Sequence, residues 1–87
     1  SEGHIAVQVR VDPARRDQLL DMAEAVRAEE PDPDGWLRLE VTFQDLWHAE
    51  WAMWQLGTNV ESLGPQELRV ALYQRAQTVA DRYRDRP

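Results

Sequence analysis

The sequence predicts an α+β fold in which a four-stranded antiparallel sheet is covered on one face by two helices. The segments Ile5–Val11 and Leu37–Phe43 alternate apolar and polar residues, with the period of two that is typical of half-buried strands. Other segments carry apolar residues at helical spacing, and turns rich in proline and glycine separate the elements. These three observations indicate one small two-layer domain.

In the first half of the chain, Asp12 and Pro13 end the first strand and begin a helix, as N-cap and first-turn residues do. The apolar stripe of this helix consists of Leu19, Leu20, Met22, Ala23 and Val26. Residues 26–29 either continue the helix or form a short edge strand. The turn at 31–35, which reads PDPDG, favours the strand and predicts a hairpin with residues 36–43.

In the second half, the alternation predicts that Leu37, Leu39, Val41 and Phe43 share one face of a strand. A helix is predicted over 44–56 and ends at Gly57, and a short strand follows over 58–63. Gly64 and Pro65 begin a last helix with one apolar face, which carries Leu68, Leu72, Val79 and Tyr83. The order β-α-β-β-α-β predicts a ferredoxin-like two-layer sandwich with an extra C-terminal helix.

The composition bounds the function. The 87 residues, 1–87, are enough for a single domain. The absence of cysteine excludes disulfides and thiolate chemistry and fits a reducing, cytoplasmic location. Neither a membrane span nor a signal peptide is predicted. The net charge of −6 disfavours general binding to nucleic acid, so a local patch of arginine, the only basic residue type besides histidine, would be needed.

The start of the chain, SEGHIAVQV, is abrupt and has no initiator methionine. We therefore expect that the chain is an excised piece of a longer protein.

From Ile5 to about Tyr83 the chain resembles the C-terminal extension (WCX) domain of bacterial WYL-domain transcriptional regulators. The segments that carry the resemblance are, in order, VQVRV at 7–11, DGW at 34–36, LG at 56–57, VESLGP at 60–65 and ELR at 67–69. The resemblance implies a ferredoxin-like fold within a larger regulator, which has an N-terminal winged helix-turn-helix for DNA binding and a central WYL domain. The effector-binding residues of the WYL domain lie outside this chain.

The first candidate surface is the sheet face opposite the helices, where we expect Arg10, Arg27, Trp36 and Arg38 together with Gln8, Glu40 and Thr42. Arginines beside an aromatic ring could bind phosphates and stack a base. The same residue types are typical anchors of a subunit interface. A third interpretation is a solvated face whose charges pair across the strands.

The second candidate surface is the helix over 44–56, where Trp47, Trp51 and Trp54 follow at i, i+4 and i+7 and form one stripe. With Leu46, Met53 and Leu56 on a neighbouring stripe, the apolar arc is wider than a small sheet requires. Part of this arc must be core. We expect one or two of the tryptophans to remain exposed and to meet a partner.

The sequence predicts neither an enzyme nor a cofactor or metal site. Asp45 and His48 share a helix face, but a second histidine at metal-ligand spacing is missing. The acidic pairs in 29–34 do not have EF-hand spacing and are interrupted by prolines. The loop at 11–16 lacks the glycines that a phosphate cradle of an acyl-phosphate hydrolase needs.

Two functions from different classes are consistent with these features, and a third possibility is a free-standing interaction domain of ferredoxin-like fold with no regulator attached. The first is a regulatory and dimerisation module of a WYL-type regulator, which pairs subunits so that two DNA-reading domains keep a fixed spacing. Its partners would be a second copy and, through the absent N-terminal domain, DNA. The alternative is a ligand-binding module, in which the open sheet face or a groove beside the last helix binds a nucleotide, an oligonucleotide or a small-molecule effector.

Overall fold

A computed structural model describes residues 3–85 and confirms the predicted order of elements. The helices and strands are β1 (Ile5–Val11), α1 (Arg16–Met22), β2 (Ala25–Pro31), β3 (Leu37–Phe43), α2 (Leu46–Leu56), β4 (Val60–Gly64) and α3 (Gln66–Arg82). Short 3-10 turns precede α1, at Pro13–Arg15, and β4, at Gly57–Asn59.

The four strands form one sheet in the order β2-β3-β1-β4, and all three neighbouring pairs are antiparallel. This order places the two strands with the clearest alternation, β1 and β3, in the centre. It is the ferredoxin-like arrangement that the element order predicts.

The core lies between one face of this sheet and the helices. The central strands contribute Val7, Val9, Val11, Leu39, Val41 and Phe43, and the helices contribute Leu19, Ala49, Ala52, Met53, Leu56 and Leu68. Because side chains alternate across a strand, burying one set of residues leaves the intervening set on the open face. The predicted inward residues of β1 and β3 are therefore confirmed, and so is the composition of the opposite face.

The segment after α1 is a strand, so the strand interpretation of residues 26–29 is right and the assignment of Val26 to the helix stripe is wrong. The helix ends at Met22 because Ala23 is already extended, with ψ of 158°. The Glu24 amide then donates to the Thr42 carbonyl at 2.8 Å and begins the pairing with β3. Every residue of β2 is exposed, as is usual for an edge strand. Arg16 holds it to α1 by donating two hydrogen bonds, of 2.8 and 3.0 Å, to the Glu29 carboxylate.

The helix α2 begins two residues later than predicted, because Asp45 is its N-cap. The Asp45 Oδ1 accepts a hydrogen bond from the His48 amide at 2.8 Å, which satisfies one of the free N–H groups of the first turn. Gly57 ends the helix as predicted, with a φ of 57° that glycine adopts most easily.

The predicted apolar face of α3 is buried only at its start. Leu68 is fully buried and Leu72 is partly buried, but Val79 and Tyr83 are 40% and 75% exposed. The reason is length: α3 has 17 residues and α2 has 11, so α3 is about 9 Å longer than its neighbour. Within residues 3–85, no helix combines the length and the apolar character needed to cross a membrane.

Candidate interaction surfaces

The open face of the sheet brings together the arginines and the tryptophan that the sequence predicts there. Arg10 of β1 is opposite Arg38 of β3, and Gln8 is opposite Glu40. Arg27 lies at an irregularity of β2, between the paired residues Val26 and Ala28. Trp36 directly precedes β3. The four predicted site residues of this face therefore lie on, or directly next to, the three neighbouring strands β1, β3 and β2.

Arg10 is the centre of this surface and is surrounded by acceptors. Its Nη1 donates to Asp34 at 2.6 Å and to Asp32 at 3.0 Å, and its Nε donates to Glu61 at 2.9 Å. The indole ring of Trp36 lies against the guanidinium, 4.6 Å from the ring centroid. Arg10 thus joins the β2–β3 turn to the edge strand β4 across the open face.

The electrostatics of this cluster favour the ionised forms of its members. The hydrogen bond from Arg10 lowers the pKa of Asp34 below its ordinary value, and the Trp36 amide, which donates to Asp34 at 3.0 Å, adds to this effect. Arg10 likewise lowers the pKa of Glu61, with a smaller contribution from Arg69. The pKa of Arg10 itself is raised, first by Asp34 and then by Glu61. These contacts therefore favour the charged forms of Arg10, Asp34 and Glu61.

The other two arginines of the face also have carboxylate neighbours. Arg38 Nη2 donates to Asp32 Oδ1 at 3.1 Å, and Arg27 Nε lies 3.6 Å from Glu40 Oε2. A phosphate approaching this face would meet these carboxylates as well as the guanidinium groups. The repulsion would offset much of the attraction.

The second candidate surface, on α2, is different. Trp47 is 67% exposed and Trp51 is 41% exposed, whereas Trp54 is partly buried with the Arg75 guanidinium 4.5 Å from its ring centroid. The expectation that one or two of the three tryptophans remain exposed is confirmed for Trp47 and Trp51. Small residues make the opposite side of the helix, since Ala49 and Ala52 are fully buried against the sheet.

The exposed tryptophans belong to a longer stripe without carboxylate or guanidinium groups, which we call the uncharged stripe. Its members follow at helical spacing along one side of α2: Trp47, His48, Trp51 and Gln55. The rings of Trp47 and His48 meet edge to face at 5.1 Å.

Sequence reasoning missed the carboxylates that surround Arg10. From the sequence, Asp32 and Asp34 are assigned only to the turn at 31–35, and Glu61 is not assigned a role. One signal could have found Glu61, since the predicted order places β1 next to β4 and the strand register then aligns Arg10 with Glu61. The turn residues reach Arg10 only through the fold of the hairpin.

Within residues 3–85, no three His, Asp or Glu side chains are arranged to hold a metal ion. Asp32, Asp34 and Glu61 converge on a guanidinium. His48 is engaged by the helix cap, with Nδ1 2.7 Å from the Asp45 carboxylate.

Comparison with known families agrees with this architecture. The family described as WCX domain matches residues 3–80, which is most of the chain and includes both candidate surfaces. Among proteins with curated descriptions, none is detectably similar in sequence. The WCX domain is a WYL-associated C-terminal domain of regulatory type and is not a known enzyme family. On the basis of this match and of the fold, the chain belongs to the WCX domain family.

Proposed function

We propose that this chain is the C-terminal regulatory module of a bacterial WYL-type transcriptional regulator and that it pairs two subunits through the uncharged stripe of α2. The DNA-reading winged helix and the WYL domain belong to the rest of such a regulator. Pairing at the C-terminal end would fix the distance between two DNA-reading domains, as a two-fold operator requires.

The observation that carries this proposal is the exposure of Trp47 and Trp51 on a surface without charge. Tryptophan is among the residues that contribute most to the free energy of binding at interfaces. Two copies of a chain with a net charge of −6 repel each other over most of their surfaces. A face whose own residues include no carboxylate or guanidinium group is where two copies can meet with the least repulsion, and this argues for a second copy as its partner.

The open sheet face is a weaker candidate for the same role. Sequence analysis places Trp36, Arg38 and Arg10 there as interface residues, but each contacts groups of its own domain. Binding a partner through these side chains would first break those contacts. The same contacts weigh against the alternative function, in which this face binds an oligonucleotide.

The test is the molar mass of the 87-residue chain, measured by size-exclusion light scattering from about 10 µM to 1 mM. We expect a dimer whose dissociation constant rises about 30-fold in Trp51→Glu, because losing an interfacial tryptophan typically costs about 2 kcal/mol. Gln55→Glu is the matched control, since it places the same charge one turn away at the edge of the stripe. Its effect should be several-fold smaller.

Two results would contradict the proposal. One is a monomer at every concentration, which would mean that this chain does not pair subunits by itself. The other is a dimer that Trp51→Glu leaves intact, which would move the interface to another surface. In the whole regulator, Trp51→Glu should also reduce binding to a two-site operator more than binding to a single half-site, measured by gel shift.

A further inference from the structure

A groove lies on the side of the domain where α3 packs against α2 and β4. It has a volume of about 490 Å³. Its apolar lining residues are Met53, Trp54, Val60, Leu72, Tyr73 and Ala76. A volume of this size suits a small organic ligand. The groove does not include any residue of the uncharged stripe, so the inference below does not rest on the proposed function.

Arg69 stands at the edge of this groove in a fixed orientation. Its Nη1 donates to the Ser62 carbonyl at 2.6 Å and lies 3.4 Å from the Glu61 carboxylate. Its Nε and Nη2 make no hydrogen bond to any group of residues 3–85. Nε and Nη2 form one edge of the guanidinium group. In proteins, this edge can bind a carboxylate through two parallel hydrogen bonds. The contact to Ser62 therefore holds Arg69 with its carboxylate-binding edge unoccupied.

Arg69 shares its acidic neighbour in the groove with Arg10. Glu61 is the single acidic residue that lines the groove, and Arg10 makes the shorter contact with it, at 2.9 Å against 3.4 Å for Arg69. One carboxylate is thus shared between two guanidinium groups. Among the described residues that line the groove, Arg69 and Glu61 are the only charged ones, so the lining has no net charge although the chain as a whole is acidic.

The aromatic residues of the groove add a preference for a flat apolar group. Trp54 is a lining residue whose ring is also held by the Arg75 guanidinium, 4.5 Å from the centroid. Tyr73, on the next turn of α3 after Arg69, is 69% exposed and lines the groove as well. An aromatic ring bound here would contact aromatic side chains, and such ring–ring contacts are favourable beyond the burial of apolar area.

We infer that the groove between α2, α3 and β4 binds a small carboxylic acid with a flat, apolar body. The apolar body of the ligand lies against Trp54, Tyr73 and the other apolar lining residues of the groove. Its carboxylate accepts two hydrogen bonds, from Nε and Nη2 of Arg69. Because the ligand class is defined by one negative group and one apolar group, a neutral molecule of the same shape binds more weakly.

The experiment uses 2-naphthoate as the probe and 2-naphthamide as its neutral counterpart, titrated into the ¹⁵N-labelled chain and followed by NMR. The four tryptophan indole N–H signals report where the probe binds. We expect the signal of Trp54 to shift most and the acid to bind at least 10-fold more tightly than the amide. In Arg69→Gln the acid and the amide should bind equally weakly.

Two further variants make the result interpretable. Arg82→Gln is the matched control, since Arg82 lies on the same helix about 20 Å from Arg69, and it should leave both affinities unchanged. Ala76→Met fills the groove without touching Arg69 and should weaken the acid and the amide together. Ala76 is exposed, so this variant is expected to fold.

Four results would overturn the inference: no saturable shift at millimolar probe, equal affinities of acid and amide, unchanged binding in Arg69→Gln, or shifts centred on Trp47 and Trp51. The last would place the probe on the uncharged stripe. Because the molar mass of the chain is measured separately, failure of this site and failure of subunit pairing are distinguishable.

Discussion

The open sheet face and the uncharged stripe of α2 both display tryptophan, yet the fold uses the residue differently on each. On the sheet, Trp36 covers the guanidinium of Arg10, which three carboxylates also hold. On α2, Trp47 and Trp51 are exposed and the acidic and basic residues lie on other sides of the helix. The difference teaches that interface-type residues indicate an interface only where their own domain leaves them without partners.

The most direct way to break this comparison is to replace one tryptophan from each surface by glutamate. Trp36→Glu removes the contact with Arg10 and adds a fourth carboxylate to its cluster. We expect it to lower the melting temperature by about 4–8 °C, since the lost cation–π contact is on the order of 1 kcal/mol.

Trp47→Glu should change the free energy of unfolding by no more than about 0.5 kcal/mol, as exposed substitutions do. The stability of both variants is measured from melting curves by circular dichroism, at a protein concentration low enough that association is negligible. If the two variants are equally stable, the Trp36 contact does not stabilise the fold and the comparison fails.

A second test compares two arginines of the open sheet face, Arg10 and Arg38, which differ in the number of their carboxylate partners. Arg10→Gln leaves Asp32, Asp34 and Glu61 close together without their shared cation, whereas Arg38→Gln removes a single contact to Asp32. We expect the urea midpoint to fall clearly in Arg10→Gln and much less in Arg38→Gln.

Arg82→Gln is the control for the loss of one positive charge, because Arg82 has no ion pair within residues 3–85. If the urea midpoint of unfolding is as high in Arg10→Gln as in Arg82→Gln, the cluster around Arg10 contributes nothing to stability.

The pH dependence of stability tests whether Arg10 stabilises the fold through its carboxylate partners. Asp34 and Glu61 have lowered pKa values in the folded chain, chiefly because of Arg10. Their stabilising effect is therefore complete above the unfolded pKa values of about 4 and is lost as the pH falls through the folded values.

The difference in melting temperature between the wild type and Arg10→Gln should stay constant from pH 8 to 5 and shrink below pH 4. Melting curves from pH 8 to 3 test this. A difference that persists unchanged at pH 3 would mean that Arg10 stabilises the fold through packing and not through these carboxylates.

The smallest expected effect is that of salt. Raising NaCl from 0.1 to 1 M shortens the screening length from about 10 to 3 Å and weakens exposed ion pairs. The stability difference between the wild type and Arg10→Gln should narrow, whereas the dissociation constant of the dimer should hardly change because the stripe is uncharged. A strong weakening of the dimer by salt would point to an interface on the charged sheet face.

Sequence reasoning works well for the centre of the domain and less well at its edges. The alternation in β1 and β3 predicts both faces of the sheet, because a strand with one buried face must place alternate residues outward. It works less well for Val26, since an apolar residue fits a helix stripe and an edge strand equally, and the pairing of Glu24 with Thr42 decides between them. For α3, the stripe from Leu68 to Tyr83 is real, but only neighbouring elements determine how much of it is covered.

The sequence by itself therefore determined the element order, the ferredoxin-like sheet, the family and the residue types on each surface. Periodicity, caps and turns are local properties, and local properties suffice for these. Only the tertiary structure decided which arginines are already paired with carboxylates, which tryptophans remain exposed, and that Arg69 keeps an unoccupied edge beside a groove. Those properties depend on side chains up to 51 residues apart, such as Arg10 and Glu61, that meet only when the sheet forms.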